Sequence, residues 1–486
     1  MASTPPRTST SIHHMRFTDR ASFAVRHVLA HVFFYWFPRL ALGLLSRWPR
    51  WLLSRLTRGK LVAEPPDERE VTLITNEKDP FRLRKRFGLP LVGQPPLRYY
   101  APLYNGHIQT ILAGMRSGPQ VSYERELVMS HEGQHVNMDY LYPPPSSPPS
   151  SSALATAAIS PVAGAAGSSK GRAPQAKGLI FIVPGLLNAS TTNYVRHFAV
   201  KSVAAGFAVC VLNNRGMGTT PLEVPRLFSA TFTEDIRYCL HHYLQQEQVQ
   251  ERLGTPTPVP LIAVGFSLGG VTLIKYLGEQ GLAAKEKEKR SNLPPNSAAP
   301  DTPVSALVTV TSPYDLIETD RMTATLLYRC FYQKPFADGL RKYAKHNRAM
   351  LMRLPNVNSK LLFEGPRPLI DRLTSIRAFD YHISAGHNGF SSPQEYYEAA
   401  QPFLWMPHSR TPILCIGDRN DVVAGGFVPD ALWRALVKEN PYVVYVCYPV
   451  GGHLGFVGTP AAEWRGEESE AEHLILRAAT KFCETR

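Results

Sequence analysis

Residues 261–277 read LIAVGFSLGGVTLIKYL. The first four are apolar, as a strand covered on both faces requires. Gly265-Phe266-Ser267-Leu268-Gly269-Gly270 follows, and 271–277 continues with helical spacing. A serine between glycines, at a sharp turn from strand into helix, is the setting of a nucleophile. The glycines are needed because the serine occupies a strained turn where neighbouring side chains would clash. The helix N-terminus then aims its free N–H groups at negative charge developing beside the serine. Ser267 is therefore the candidate nucleophile, and this context disfavours a purely structural glycine turn.

Working outward, short apolar runs at 179–183, 207–212, 306–310, 413–416 and 443–447 alternate with helical patterns at 195–204, 232–247, 268–279, 429–438 and 471–482. Strands alternating with helices predict an α/β fold, with a mostly parallel central sheet and helices on both faces. Residues 121–128 and 134–142 flank His131-Glu132-Gly133, which predicts a hairpin. Residues 321–374 break the rhythm as an Arg- and Leu-rich helical insertion, expected to form an apolar lid. Two low-complexity stretches, 143–177 and 285–303, read as flexible insertions at loop tips. The catalytic domain is expected over 95–486.

A serine nucleophile needs a base and an orienting acid, and in such a sheet they follow in the order Ser, Asp or Glu, His. Val450-Gly451-Gly452-His453-Leu454-Gly455 follows the last apolar strand, so His453 sits on a glycine-flanked loop at the sheet edge. His107 and His387 lie in comparable loop motifs but precede the sheet position required. The acid should leave the run at 413–416, where Asp418 and Asp421 both qualify. Asp421, before Val422-Val423, is favoured; Asp418 is free to pair with Arg419 or solvent. The oxyanion donors are expected to be the backbone N–H of Leu268, directly after the serine, and that of Leu186, after the strand at 179–183.

The chain has 486 residues, 44% hydrophobic and 10% aromatic, which excludes a mostly disordered protein. The formal charge is +14, yet residues 1–60 hold ten Lys/Arg against Asp19 alone. The remainder is close to balanced, which excludes the footprint of a nucleic-acid-binding domain. Residues 28–45 (VLAHVFFYWFPRLALGLL) are apolar but carry His31, Pro38 and Arg39. A charge near the middle is costly inside a bilayer. An interfacial anchor across 20–58, with Trp36, Trp48 and Trp51 at headgroup level, is therefore preferred to a spanning helix. The acid-poor, Arg-rich start also admits a mitochondrial transit peptide. Of six cysteines, Cys210, Cys415 and Cys447 fall inside apolar strands as small core hydrophobes. No cofactor, metal or nucleotide is implied.

With the three loops identified, the chain resembles the α/β-hydrolase fold. More narrowly, it is similar to N-terminally anchored lipid esterases, which include monoacylglycerol and phospholipid hydrolases and medium-chain fatty-acid ethyl ester synthases/esterases. The resemblance rests on Gly106-His107-Ile108-Gln109-Thr110, Asn214-Arg215-Gly216, Thr233-Glu234-Asp235, Ser312-Pro313-Tyr314-Asp315, Phe379-Asp380, Tyr396-Tyr397 and the loop around His453. It departs where Pro184-Gly185 replaces a usual His-Gly, and where Asn420-Asp421 replaces two aspartates. It implies a membrane-associated, intracellular serine hydrolase of lipid esters, at endoplasmic reticulum or lipid-droplet membrane. Alcohol O-acyl transfer by the same triad is the alternative within that chemistry. A catalytically inactive membrane-tethered scaffold is the alternative outside it. His107, Arg215 and Asp235 match the family motifs and are expected to be buried polar pairs that hold loops.

Overall fold

The computed structural model describes residues 70–97, 105–144, 176–325, 328–424, 428–457 and 469–485. The anchor expected across 20–58 and nearly all of the insertion at 143–177 lie outside them. Among the described residues no helix is long and apolar enough to cross a membrane.

The apolar runs become strands: β2 (Glu124–Met129), β3 (His135–Leu141), β4 (Leu179–Val183), β5 (Ala208–Asn213), β6 (Leu261–Phe266), β7 (Val304–Val310), β8 (Ile413–Asp418) and β9 (Val443–Tyr448). With β1 (Thr72–Ile74) they form one nine-stranded sheet in the order β1-β9-β8-β7-β6-β4-β5-β3-β2. The pairings from β5 through β9 are parallel, and the outer pairings β1–β9, β3–β5 and β2–β3 are antiparallel. This topology is that of the α/β-hydrolase fold, extended by one edge strand.

Alternation along the strands sends side chains to two cores. Leu179, Phe181 and Val183 face one side of β4, and Ile180 and Ile182 the other. The first side is covered by α3 (Glu234–Tyr243) through Ile236 and Leu240, and by α4 (Leu268–Arg290) through Leu273, Ile274 and Leu277. The second is covered by α2 (Asn193–Ala204) through Val195 and Phe198, and by the C-terminal helix Glu470–Glu484 through Ile475, Ala478 and Phe482. Burial of such side chains contributes roughly 1.5–3 kcal/mol each, which is why strands with so few polar atoms lie at the centre.

Three readings change. The folded unit begins before residue 95, because β1 pairs with β9 and Val71, Leu83 and Phe87 enter the second core. The helical pattern at 232–247 divides into α3 and a separate helix, Gln246–Leu253. Residues 285–303 are not wholly a loop: α4 runs on to Arg290, and Glu288 pairs with Arg410 at 2.5 and 2.8 Å with both side chains buried. The KEKEKR run, low in complexity, is helix-favouring and finds a cation for its buried acid. The insertion between β7 and β8 is helical, with α5 (Leu316–Thr323) and α6 (Lys334–His346). It builds its own core, in which Leu340, Tyr343, Leu351 and Phe379 pack with Met217, Leu227 and Phe228 of the main body.

Candidate active site

β6 delivers Ser267 to the C-terminal edge of the sheet, and α4 begins at the next residue. Ser267 has φ 51° and ψ −121°, a backbone conformation costly for any residue with a side chain. It is held there because its N–H donates to Val310 O (2.9 Å) and its carbonyl accepts from Gly270 N (3.0 Å). Close packing explains the glycines: a Cβ on Gly265 would lie 2.5 Å from Gly270 Cα, and one on Gly269 would strike the Val183 carbonyl.

The structure brings Ser267, His453 and Asp421 together. His453 Nε2 is 3.0 Å from Ser267 Oγ, and Nδ1 is 3.0 and 3.2 Å from the two Asp421 oxygens. Since Asp421 accepts at Nδ1, the network assigns the proton to that nitrogen and leaves Nε2 as acceptor for the serine hydroxyl. Asp421 is fixed in turn: Oδ1 accepts from Val423 N and Ala424 N at 2.8 Å each. The acid side chain is buried, and the base is mostly covered.

The base loop is pinned from α1 (Gly106–Met115). His453 N donates to Thr110 Oγ1 (2.8 Å), which donates to Gly106 O (2.7 Å). The Gln109 amide clasps Val457 through both N–H and C=O, at 2.7 and 2.9 Å. Thr110 and Gln109 belong to a motif in which sequence reasoning singled out His107 instead. His107 Nδ1 pairs with the Tyr332 hydroxyl and does not join the triad. Arg215 and Asp235 form a bidentate ion pair at 2.6 Å, with Phe232 under the guanidinium, and so hold loops together as expected.

Asp418 is the acid not chosen. It ends β8, and its Oδ1 accepts from Asn420 N (2.8 Å) and Gly452 N (3.2 Å), bridging the acid and base loops. Burial, then the neighbouring Asp421 charge, pushes its carboxyl well above the usual range.

The turn after β4 lies against the serine: a Cβ on Gly185 would be 3.1 Å from Ser267 Cβ. Gly185 N donates to Tyr194 Oη (3.0 Å), and the Leu186 carbonyl accepts from Asn188 Nδ2 (3.0 Å), which fixes Leu186 at the site. Leu268 is the first residue of α4, where a helix offers no carbonyl to the amide. Leu186 and Leu268 both border a cavity of about 140 Å3 beside Ser267, walled further by Met217, Leu227, Phe336 and Leu340. His387 supports that wall from behind: its Nε2 accepts from Leu227 N at 3.2 Å. Burial, then Arg226 and Arg215, lowers its pKa to about 4. Among the described residues no cluster of His, Cys, Asp or Glu could hold a metal ion.

The wall also carries Asp320 and Ser384, which sequence reasoning passed over, beside Arg377, Asp380 of the Phe379-Asp380 motif and Tyr397 of the Tyr396-Tyr397 motif, none of which it had assigned to the site. They converge from positions up to 77 apart, and no local spacing signals that.

No family model matches the chain. It is 28% identical over 372 residues to embryogenesis-associated protein EMB8 of Picea glauca, covering 74% of this chain and 67% of that one. It is 23% identical over 390 residues to a monoacylglycerol lipase of Saccharomyces cerevisiae, covering 76% and 78%. To the medium-chain fatty acid ethyl ester synthase/esterase 2 of the same yeast it is 30% identical over 320 residues, covering 63% and 62%. The strand order and the turn that carries Ser267 are those of the α/β-hydrolase fold, and in sequence the chain is similar to proteins that include a lipase and a synthase/esterase.

Proposed function

We propose that the protein is a membrane-associated serine hydrolase that cleaves carboxylic esters of lipids through an acyl-enzyme on Ser267. The observation that carries this is the Ser267–His453–Asp421 relay opening onto a cavity with a largely apolar wall. His453 Nε2 takes the proton from Ser267 Oγ as the oxygen attacks the ester carbonyl. Asp421 holds the imidazole orientation and stabilises the imidazolium. The N–H groups of Leu186 and Leu268 receive the oxyanion, a contribution on the order of 3 kcal/mol per donor. His453 then protonates the departing alcohol, and water activated by the same imidazole releases the acid. Leu227, Leu340 and Phe379 suit an acyl chain. The basic segment at 1–60 with its apolar run would hold the site beside lipid.

A second acceptor is supported by the 30% identity to a synthase/esterase. An alcohol entering where water enters would yield a new ester from the same acyl-enzyme. The test is an ester panel of varied acyl length, with and without added ethanol, on wild type and Ser267→Ala. Acid released by wild type and lost in the variant supports hydrolysis, and ethyl ester formed in ethanol adds transfer. Turnover that survives Ser267→Ala overturns the reading.

A further inference from the structure

The cavity beside Ser267 is lined by two chemically different sets of residues. Leu186, Met217, Leu227, Phe228 and Leu340 belong to the apolar cluster that the helical insertion forms with the main body. On the same cavity lie Asp320, Arg377, Asp380, Ser384 and Tyr397. These are connected. The Arg377 guanidinium pairs with Asp320, Tyr397 Oη donates to Asp380 Oδ2 at 2.7 Å, and Asp380 also interacts with Ser384, Asp320 and Arg377. Asp380 is only 7% exposed. Burying such a group is costly unless it is satisfied or used, and a wall meant only for hydrocarbon would be cheaper without it.

We propose that this cluster is a subsite for the alcohol portion of the ester, and that it selects an uncharged alcohol bearing free hydroxyls, of the glycerol type. The proposal rests on the serine-hydrolase reading and deepens it. Asp380 and Asp320 carboxyl oxygens accept from hydroxyls, as do the lone pairs of the Tyr397 and Ser384 oxygens whose hydrogens go to Asp380, while Arg377 supplies N–H donors beyond the one that meets Asp320, so each hydroxyl of a polyol finds a complementary partner. A simple alkyl alcohol would cover these groups without replacing the water at their remaining lone pairs and N–H groups, and such loss discriminates more strongly than a missing methylene does. An anionic phosphodiester is disfavoured, because two acids face it and the one guanidinium already pairs with Asp320. Burial raises the Asp380 pKa to about 6, so the carboxyl is mainly ionised at neutral pH and stays an acceptor there.

The experiment compares kcat/KM for three esters of one medium-length acyl chain: monoacylglycerol, ethyl ester and lysophosphatidylcholine. The full chain is assayed in detergent micelles as wild type, Asp380→Asn and Arg377→Leu. Wild type is expected to prefer the monoacylglycerol over both others by about tenfold or more, with the monoacylglycerol-to-ethyl ratio falling about tenfold in Asp380→Asn, the scale of a hydrogen bond to a charged group. Each ratio is read within one sample, so a smaller folded fraction lowers both rates alike and leaves the ratio a property of the folded molecules. If Asp380→Asn gives no turnover, Arg377→Leu carries the prediction, since that side chain is half exposed. Equal wild-type rates on glycerol and ethyl esters, preference for the phosphodiester, or a ratio unmoved by the variants overturns the subsite. Absence of turnover on all three esters overturns the hydrolase reading itself.

Discussion

At the scale of single residues, the site depends on which aspartate touches the imidazole. Asp418 ends β8 and Asp421 lies three positions further on, in the loop, and only Asp421 reaches His453 Nδ1. Asp421→Asn keeps the shape but presents an amide whose N–H favours the wrong imidazole tautomer. Its kcat should fall on the order of 10³–10⁴-fold with little change in KM. Asp418→Asn retains an acceptor for Gly452 N and should cost far less. Steady-state kinetics of the two variants decide this, and equal losses would contradict the assignment. Ser267, His453 and the preference for Asp421 were legible from motif and spacing because each leaves a strand end in fixed order. Thr110 was not legible as a positioning group. Its role is one hydrogen bond to a backbone 343 residues away, which no local pattern encodes.

At the scale of elements, the strands were readable because a doubly covered strand must be apolar throughout, and β4 matches its predicted bounds. β1 was not, because Thr72-Leu73-Ile74 is a three-residue edge strand whose partner β9 follows 369 residues after its end. The continuation of α4 was obscured because KEKEKR has no apolar periodicity; its order comes from Arg410 meeting Glu288. The C-terminal helix shows a similar dependence. Glu472 closes a capping box with Ser469 and pairs with buried Arg116 at 2.8 and 3.1 Å. Glu472→Ala removes the cap partner and strips the guanidinium of its carboxylate, so stability should drop by about 3–5 kcal/mol. Denaturant unfolding of variant and wild type measures this, and a loss below about 1 kcal/mol would show that the pair does not hold the helix.

At the scale of the whole molecule, pH and membrane are the two levers. His387 is buried neutral behind the cavity wall, with a folded pKa of about 4 against an ordinary 6.5. Its stabilising contribution is therefore present above pH 6.5 and is lost as pH falls from there toward 4, amounting to about 2 kcal/mol by pH 5. His387→Asn, which can still accept from Leu227 N, should lose less melting temperature than wild type between pH 7.5 and pH 5. Identical losses would mean that other groups govern acid stability. Nine of the fourteen formal charges come from residues 1–60, beside the apolar run at 28–45. If the proposed anchor operates, the full chain should sediment with membranes and deletion of 1–60 should release it, and a full chain found in the supernatant would contradict the anchor. The polar cluster on the cavity wall was beyond sequence reading, since it forms only where the insertion between β7 and β8 folds beside the serine.

The most direct test of the account is labelling of the detergent-solubilised protein with a fluorophosphonate probe, followed by mapping of the modified peptide. The relay at 3.0 Å between His453 and Ser267 predicts one phosphonylated serine, Ser267, and no labelling of Ser267→Ala. A folded wild type that takes no label, or label that persists on the alanine variant, would contradict the central claim.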